Sequence, residues 1–329
     1  MVRRTKQVSQ ALPSTLTVQQ LMATDYRYNY GPAELQEDWD RLRRSRTYKS
    51  GSQFKPGMKL CQHYCDNFWD IENTAGQSFA RAWRDPVIMQ RVLDWGRQGM
   101  SQLWLSWIRR AVFMNASLAN SSFYRPHFSK QLVEMHGASQ GILYDPCAGW
   151  GGRMLGTVAG GWQYHACEPN AQTHANLQQM IQFIGAQNQA HIRCQPAETF
   201  DVSTIGPVDA VLTSPPYFNL EVYNHSPDQS YNQHSTYSAW SDNWLKPLIR
   251  HCLANLKTDG ISAWNVMNFK KHDLVTDVID THRALGWHLV DTLGFQTPLA
   301  NIRKLRNKDV TYVFRHASYK PPQPIVTFE

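Results

Sequence analysis

Three short apolar runs after residue 140 each end in an acidic or hydroxyl residue followed by proline. They are G-I-L-Y-D-P, ending at Asp145 and Pro146, Y-H-A-C-E-P, ending at Glu168 and Pro169, and D-A-V-L-T-S-P-P-Y, which turns at Ser214, Pro215 and Pro216. Proline lacks a backbone N–H and stops sheet pairing, so each run reads as a buried strand that the chain leaves at a defined residue. A Gly-rich turn leading into R-M-L-G-T-V-A-G-G, the amphipathic T-H-A-N-L-Q-Q-M-I-Q-F-I and a strand-like H-I-R-C lie between them. Short apolar strands alternating with amphipathic segments predict an α/β domain, a doubly wound and mostly parallel sheet covered by helices. Such sheets bind ligands at the carboxyl ends of their strands, near the point where strand order reverses. Asp145, Glu168 and Ser214 share that address.

Further on, W-L-K-P-L-I-R-H-C-L-A-N-L-K-T-D-G predicts a helix ending at Gly260, followed by the strand I-S-A-W-N-V-M. Two more strands, W-H-L-V-D-T-L-G-F and D-V-T-Y-V-F-R-H, flank a basic loop. Upstream the texture differs. Residues 1–30 are polar, with one short helical segment near Val18 to Met22, and 33–119 is helical in pattern and rich in Trp. Helices are expected over Pro86 to Gly96, with proline well placed at a helix start, and over Gln102 to Met114. The expected division is therefore a mostly helical N-terminal region, 1–119, and an α/β domain, 120–329.

The chain has 329 residues, 42% of them hydrophobic and 12% aromatic, which suits a globular protein with a substantial core. No apolar run approaches a membrane span, and M-V-R-R-T-K-Q-V-S-Q lacks the apolar segment of a secretory signal. A soluble, cytoplasmic protein with no membrane partner is expected. The six cysteines have no framework spacing, so free thiols are expected. Cys61, His63 and Cys65 have no second ligand pair at zinc-finger spacing, and no metal is expected. The net charge of +7 gathers into two clusters. One holds Arg41, Arg43, Arg44 and Arg46, the other Arg303, Lys304, Arg306 and Lys308. Either alone reads as a solvated surface; two together favour a nucleic-acid partner.

In D-P-C-A-G-W-G-G-R-M-L-G, the glycines at 149, 151 and 152 let backbone approach a ligand and place amides near a helix N-terminus. The dinucleotide fingerprint fails, because a third glycine counted from Gly149 would fall on Met154. Glu168 follows one βα unit later, where a carboxylate can accept ribose hydroxyl hydrogens.

Asp145-Pro146-x-x-Gly149-x-Gly151-Gly152 resembles the S-adenosylmethionine motif of the DNA amino-methyltransferases, and Thr213-Ser214-Pro215-Pro216-Tyr217 resembles their catalytic (S/D/N)-P-P-(Y/F/W) motif. F-Y-R-P-H-F-S-K-Q-L, from Phe123 to Leu132, resembles the segment that packs beside the cofactor's methionine moiety in that family. Y-F-N-L-E-V-Y is similar to some phage-encoded members. The resemblance spans about residues 120–320. It implies a class I methyltransferase fold, S-adenosyl-L-methionine as cofactor, and double-stranded DNA whose target base is flipped out. It assigns catalysis to Ser214, Pro215, Pro216 and Tyr217. Cofactor contacts would come from Asp145, Pro146, Gly149, Gly151, Glu168, Glu198, Phe123 and Phe128. Capping at the βα turn explains Asp145 as well, and a solvated loop explains Glu198. Cys147 is not expected to act as a nucleophile, since carbon-5 methylation uses a different Pro-Cys context.

An exocyclic amine is a poor nucleophile because its lone pair is delocalised into the ring. If Ser214 Oγ and the Pro215 carbonyl accept its N–H bonds, the nitrogen can pyramidalise toward a methyl donor. Tyr217 would stack on the flipped base. By family resemblance, serine at the first motif position leans toward cytosine N4 over adenine N6. RNA or protein-amide methylation, and a non-catalytic nucleic-acid-binding protein of the same fold, are the alternatives. Asn219, Glu221 and Tyr223 are expected to face the substrate. No large target-recognition insert is present, so DNA contact is expected from the N-terminal helices, the loop 218–243 and the basic loop 303–308.

Overall fold

The computed structural model describes residues 11–46, 55–119, 121–136, 139–293 and 308–319. Its main sheet has seven strands: β1 (Ile142–Asp145), β2 (Gln163–Cys167), β3 (Ala190–Arg193), β4 (Val208–Thr213), β5 (Leu256–Val266), β6 (Trp287–Leu293) and β7 (Val310–His316). The spatial order is β3-β2-β1-β4-β5-β7-β6. Every neighbouring pair is parallel except the two made by β7, which runs antiparallel between β5 and β6. Strand order reverses between β1 and β4, so the three Pro-terminated runs finish at or beside the switch point. This is the doubly wound, mostly parallel architecture that the alternation predicts.

Burial on both faces accounts for the apolar strands. Five of the six residues of β4 are buried, as are the last seven of β5. The helices between strands start on side-chain caps. Asn170 accepts from the backbone N–H groups of Gln172 and Thr173 to open Ala171–Ile184, and Asp273 accepts from Thr276 to open Leu274–Ala284. A fully buried polar relay ties the second of these helices to β5. Trp264 Nε1 donates to Ser262 Oγ at 3.0 Å, Ser262 meets His282 Nε2 at 2.9 Å, and His282 Nδ1 meets the Val278 carbonyl at 2.8 Å.

Two element boundaries depart from the sequence pattern. The helix expected to end at Gly260 ends at Ala254, and Lys257 to Gly260 belong to β5. A Cβ on Gly260 would lie 2.9 Å from the Asp209 carbonyl oxygen, so this glycine admits a neighbouring strand where the β4–β5 register shifts. In the segment Gln102 to Met114, Gln102–Trp104 pairs antiparallel with Ala11–Pro13, and the helix Leu105–Asn115 begins after it. The expected helix at Pro86 runs Pro86–Gly99 with Asp85 as its cap.

The chain forms two compact units with interleaved segments. The sheet unit comprises Tyr30–Cys65, Phe123–Phe218 and Ser226–Glu329. Tyr30–Cys65 carries the helix Pro32–Arg44, and packs within this unit. A Cβ on Gly57 would sit 2.9 Å from both Leu42 and Pro126, and Cys65 Sγ lies 3.5 Å from the Trp150 carbonyl. The chain crosses between the units several times, once between Ser122 and Phe123; an amphipathic pattern specifies a buried face and not the partner that buries it.

The other unit comprises Met1–Asn29, Asp66–Ser122 and Asn219–His225. Its core is aromatic, with the Tyr26 ring 5.6 Å from Trp69, 5.2 Å from Phe79 and 5.1 Å from Trp83. Within it Glu72 and Val222 exchange two backbone hydrogen bonds, of 3.0 and 2.9 Å. Among the described residues, no helix is long and apolar enough to cross a membrane.

Candidate active site

The glycine turn after β1 is closed by a buried ion pair. Asp145 is fully buried, and its carboxylate accepts from Arg153 Nε at 2.6 Å, Tyr164 OH at 2.7 Å and the Cys147 N–H at 3.1 Å. Arg153, also buried, reaches back to the carbonyls of Cys147 and Ala148. Burial, then the Asp145 charge, holds the Tyr164 phenol well above its ordinary pKa, so it stays a donor. Of the two roles open to Asp145, capping the βα turn is the one its contacts display. Desolvation followed by the charge of Asp145 pushes the Cys147 thiol well above its usual range, which leaves it un-ionised.

Gly149 and Gly151 both take left-handed backbone, with φ of +57° and +78°. Their surroundings differ. A Cβ on Gly149 would meet nothing closer than 3.7 Å, whereas one on Gly151 would lie 2.8 Å from Leu177, and one on Gly152 would lie 2.1 Å from the Tyr124 carbonyl oxygen. Packing therefore excludes a side chain at Gly151 and Gly152, whereas Gly149 is set by its φ, and a Cβ there would make only ordinary van der Waals contact with Arg153 and the Cys147 carbonyl.

Glu168, at the end of β2, braces the same turn. One carboxylate oxygen accepts from the Gly149 N–H and the other from the Asn170 N–H, each at 2.9 Å. Burial raises its pKa to about 7, against the lowering effect of those two amides. Each oxygen retains acceptor capacity beyond its one backbone bond. Pro146 is buried beside Asp145. Phe123 sets its ring 6.3 Å from Trp150 of the glycine turn at an angle of 62°, whereas Phe128 lies with Tyr124 and His127 on the preceding segment. Glu198 is exposed, in a short turn after β3.

Ser214 follows β4 directly and is half-buried; among the described residues its hydroxyl has no hydrogen-bond partner. Pro215 is buried and Pro216 half-buried. Tyr217 is 9% exposed; its hydroxyl donates to Asp309 at 2.7 Å, and the Asn265 carbonyl lies 3.1 Å away as a second acceptor for the same hydrogen. The Asn265 side chain extends the network, donating to Asp309 at 2.5 Å and accepting from Thr311 at 2.8 Å. Phe269 lies 6.4 Å from the Tyr217 ring and 20° from parallel to it. Phe218 takes φ +48°, a left-handed conformation uncommon for a bulky residue. The chain passes from one unit to the other immediately after it, so Asn219, Glu221 and Tyr223 belong with the second unit.

Asp309, Asn265 and Phe269 escaped the sequence reading. Asn265 carried the one available signal, a lone amide inside the apolar run of I-S-A-W-N-V-M, whereas Asp309 becomes a partner only because β7 folds back beside β5. Of the expected DNA contacts, Arg41, Arg43 and Arg44 occupy the last turn of Pro32–Arg44, and Arg46 follows; all four are exposed. Arg43 is paired with Asp40 at 2.5 Å, and cations there also complement the helix dipole. Lys308 is exposed, and Arg303, Lys304 and Arg306 lie outside the described residues. Cys61 and Cys65 are buried thiols, and no group of residues able to hold a metal ion occurs among the described residues.

Residues 208–321 match the model of a DNA methylase family, N6_N4_Mtase. Similar solved structures include an rRNA methylase from Streptococcus thermophilus, at 13% identity and a TM-score of 0.40 over 60% of this chain and 99% of that one. An S-adenosylmethionine-dependent methyltransferase from Clostridium acetobutylicum has 10% identity and a TM-score of 0.42 over 60% and 93% of the two chains. The magnesium protoporphyrin IX methyltransferase of Synechocystis, solved with bound SAM, has 13% identity and a TM-score of 0.38 over 57% and 77%. No curated protein matches the sequence.

Proposed function

We propose, from the match of residues 208–321 to a DNA methylase family model, that the protein transfers a methyl group from S-adenosyl-L-methionine to the exocyclic amine of a DNA base, with cytosine N4 as the preferred acceptor. The observation that carries this reading is the Ser214 hydroxyl, half-buried and without a partner among the described residues, on a rigid Pro-Pro corner beside the switch point.

The residues around the glycine turn fit the cofactor. Glu168 presents a buried carboxylate with acceptor capacity to spare, as a ribose diol requires, and Gly149 supplies a left-handed backbone that glycine adopts without strain. Phe123 and Phe128 would pack on its apolar parts, and Glu198 would lie toward the adenine. Asp145 would act from behind, by fixing the turn through Arg153 and Cys147. When bound, the cofactor supplies a methyl group already electrophilic on a sulfonium.

The chain's own part is to hold the amine. Ser214 Oγ and the Pro215 carbonyl accept its two N–H bonds and direct the nitrogen lone pair, an arrangement whose value is alignment and fixed dipoles. Proline at 215 and 216 removes backbone N–H groups that would compete for those acceptors. Tyr217, locked by its own hydroxyl, offers a ring of set orientation to a base that has left the duplex.

The test is to incubate duplex DNA with the protein and labelled cofactor and identify the methylated nucleoside by mass spectrometry. N4-methylcytosine is expected, and Ser214→Ala should remove it while leaving the melting temperature unchanged. N6-methyladenine would move the assignment to adenine, label that survives nuclease treatment would point to a protein substrate, and cofactor binding without transfer to any DNA would refute the reading.

A further inference from the structure

The loop that leaves β5 runs alongside the Ser214–Tyr217 corner, because β5 is parallel to β4 and Thr213 pairs with Trp264. Three residues past the strand it makes a tight turn, in which Phe269 N–H donates to the His272 carbonyl at 3.3 Å and His272 N–H donates to the Phe269 carbonyl at 2.9 Å. The two residues at its tip are Lys270 and Lys271, and both are exposed. Lys270 takes φ +50°, a conformation that glycine or asparagine adopts more readily than lysine.

The turn is built to hold still. Phe269 is buried and lies 6.4 Å from the Tyr217 ring. The His272 ring stacks on Tyr237 at 4.3 Å and 18°, and the Tyr237 hydroxyl is in turn held by Asp277 at 2.7 Å. On either side, Asn268 accepts from the Val275 N–H at 3.0 Å, and Asp273 caps the helix through Thr276. Flanking carboxylates are engaged in this way, and Asp309, exposed near Tyr217, is held by Tyr217 and Asn265. Among the described residues, neither Lys270 nor Lys271 has an ion-pair partner, in contrast to Arg43.

We propose that the Phe269–His272 turn is a phosphate clamp, in which Lys270 and Lys271 hold the duplex DNA backbone beside the nucleotide whose base enters the Ser214–Tyr217 corner. The inference rests on the methyltransferase reading and adds to it a polyanion contact separate from both arginine-rich clusters. Lysine suits the task, because a compact ammonium neutralises a phosphate without reading sequence. Flipping a base costs unstacking energy that contacts to the flanking backbone help offset, and an anchored turn holds such a contact better than a free loop.

The experiment compares the wild type with Lys270→Ala/Lys271→Ala and Lys270→Arg/Lys271→Arg. Binding of a short fluorescent DNA duplex is followed by anisotropy as salt is raised, and the cofactor's affinity is measured alongside. The alanine pair should reduce the slope of log affinity against log salt by about 1 to 2, at roughly 0.9 per phosphate contact, and leave the cofactor's affinity unchanged. The arginine pair should keep the wild-type slope, which also shows that the turn still folds. An unchanged slope in the alanine pair overturns the clamp, and so does a wild type that shows no salt-dependent binding to duplex DNA. A wild type that binds DNA but methylates none of it refutes the methyltransferase reading alone, and the slope comparison still decides the clamp.

Discussion

The Tyr217 hydroxyl donates to Asp309 across 2.7 Å, joining the residue after the Pro-Pro corner to the start of β7. Through Asn265 the same network reaches Thr311, so the orientation of the ring depends on two neighbouring strands as well as on its own loop. Tyr217→Phe keeps the ring and removes the tether. Because Asp309 is exposed, the stability loss should be only about 1 kcal/mol. Methyl transfer should fall further, by about 10- to 100-fold in kcat/KM, since small misplacements of a reacting group are expensive. Thermal melting and steady-state kinetics on the same variant separate the two effects; equal kinetics in both proteins would show that the tether does not orient the ring.

The ribose-binding role proposed for Glu168 predicts that cofactor binding depends on pH. Its folded pKa is raised to about 7 from 4.5, so the folded state holds the proton more tightly than the unfolded chain. Its contribution to stability is therefore complete below about pH 4.5 and is lost as pH rises through about 7. A ribose diol needs the ionised carboxylate, which puts binding and stability in opposition. Calorimetry should find cofactor affinity falling as pH drops from about 8 to about 6, with proton release on binding near pH 7. Glu168→Gln should bind weakly and show a flat profile across that range.

His282 acts in the opposite direction. Burial pushes its pKa down to about 3 from 6.5, so it stays neutral in the fold while the unfolded chain takes up a proton. The resulting stability is complete above about pH 6.5 and declines as pH falls toward about 3. His282→Phe leaves the Ser262 hydroxyl hydrogen without its acceptor and removes the ring's bond to the Val278 carbonyl, at a cost of about 1–3 kcal/mol at neutral pH. The variant should also lose less stability on acidification than the wild type, as melting temperatures across that range would show.

The three glycines of the turn should not be equivalent. Gly149→Ala makes only ordinary van der Waals contact and pays chiefly for its φ, about 1–2 kcal/mol. Gly152→Ala drives a methyl group into the backbone carbonyl of Tyr124, just before the helix that starts at Pro126, and should cost more. Denaturant titration of the two variants checks the order, and an equal loss would mean that the segment at Tyr124 yields.

The apolar runs, their Pro-bounded ends and the glycine turn sufficed to predict the sheet, its parallel character and the shared address of Asp145, Glu168 and Ser214. These are properties of local pattern, because strand burial and proline chemistry act within a few residues. Folding alone decided which groups remain available. Asp145 and Glu168 look alike as acids at strand ends, yet Arg153 and Tyr164 occupy the first, whereas the second meets only two amides. Asp309 reaches Tyr217 because an antiparallel last strand returns it to the corner, and Tyr30–Cys65 joins the sheet unit although its helical texture matches its neighbours. A side chain's partners depend on long-range packing, which no window of sequence contains; its capacity to donate, accept or carry charge is set by its type and can be read directly.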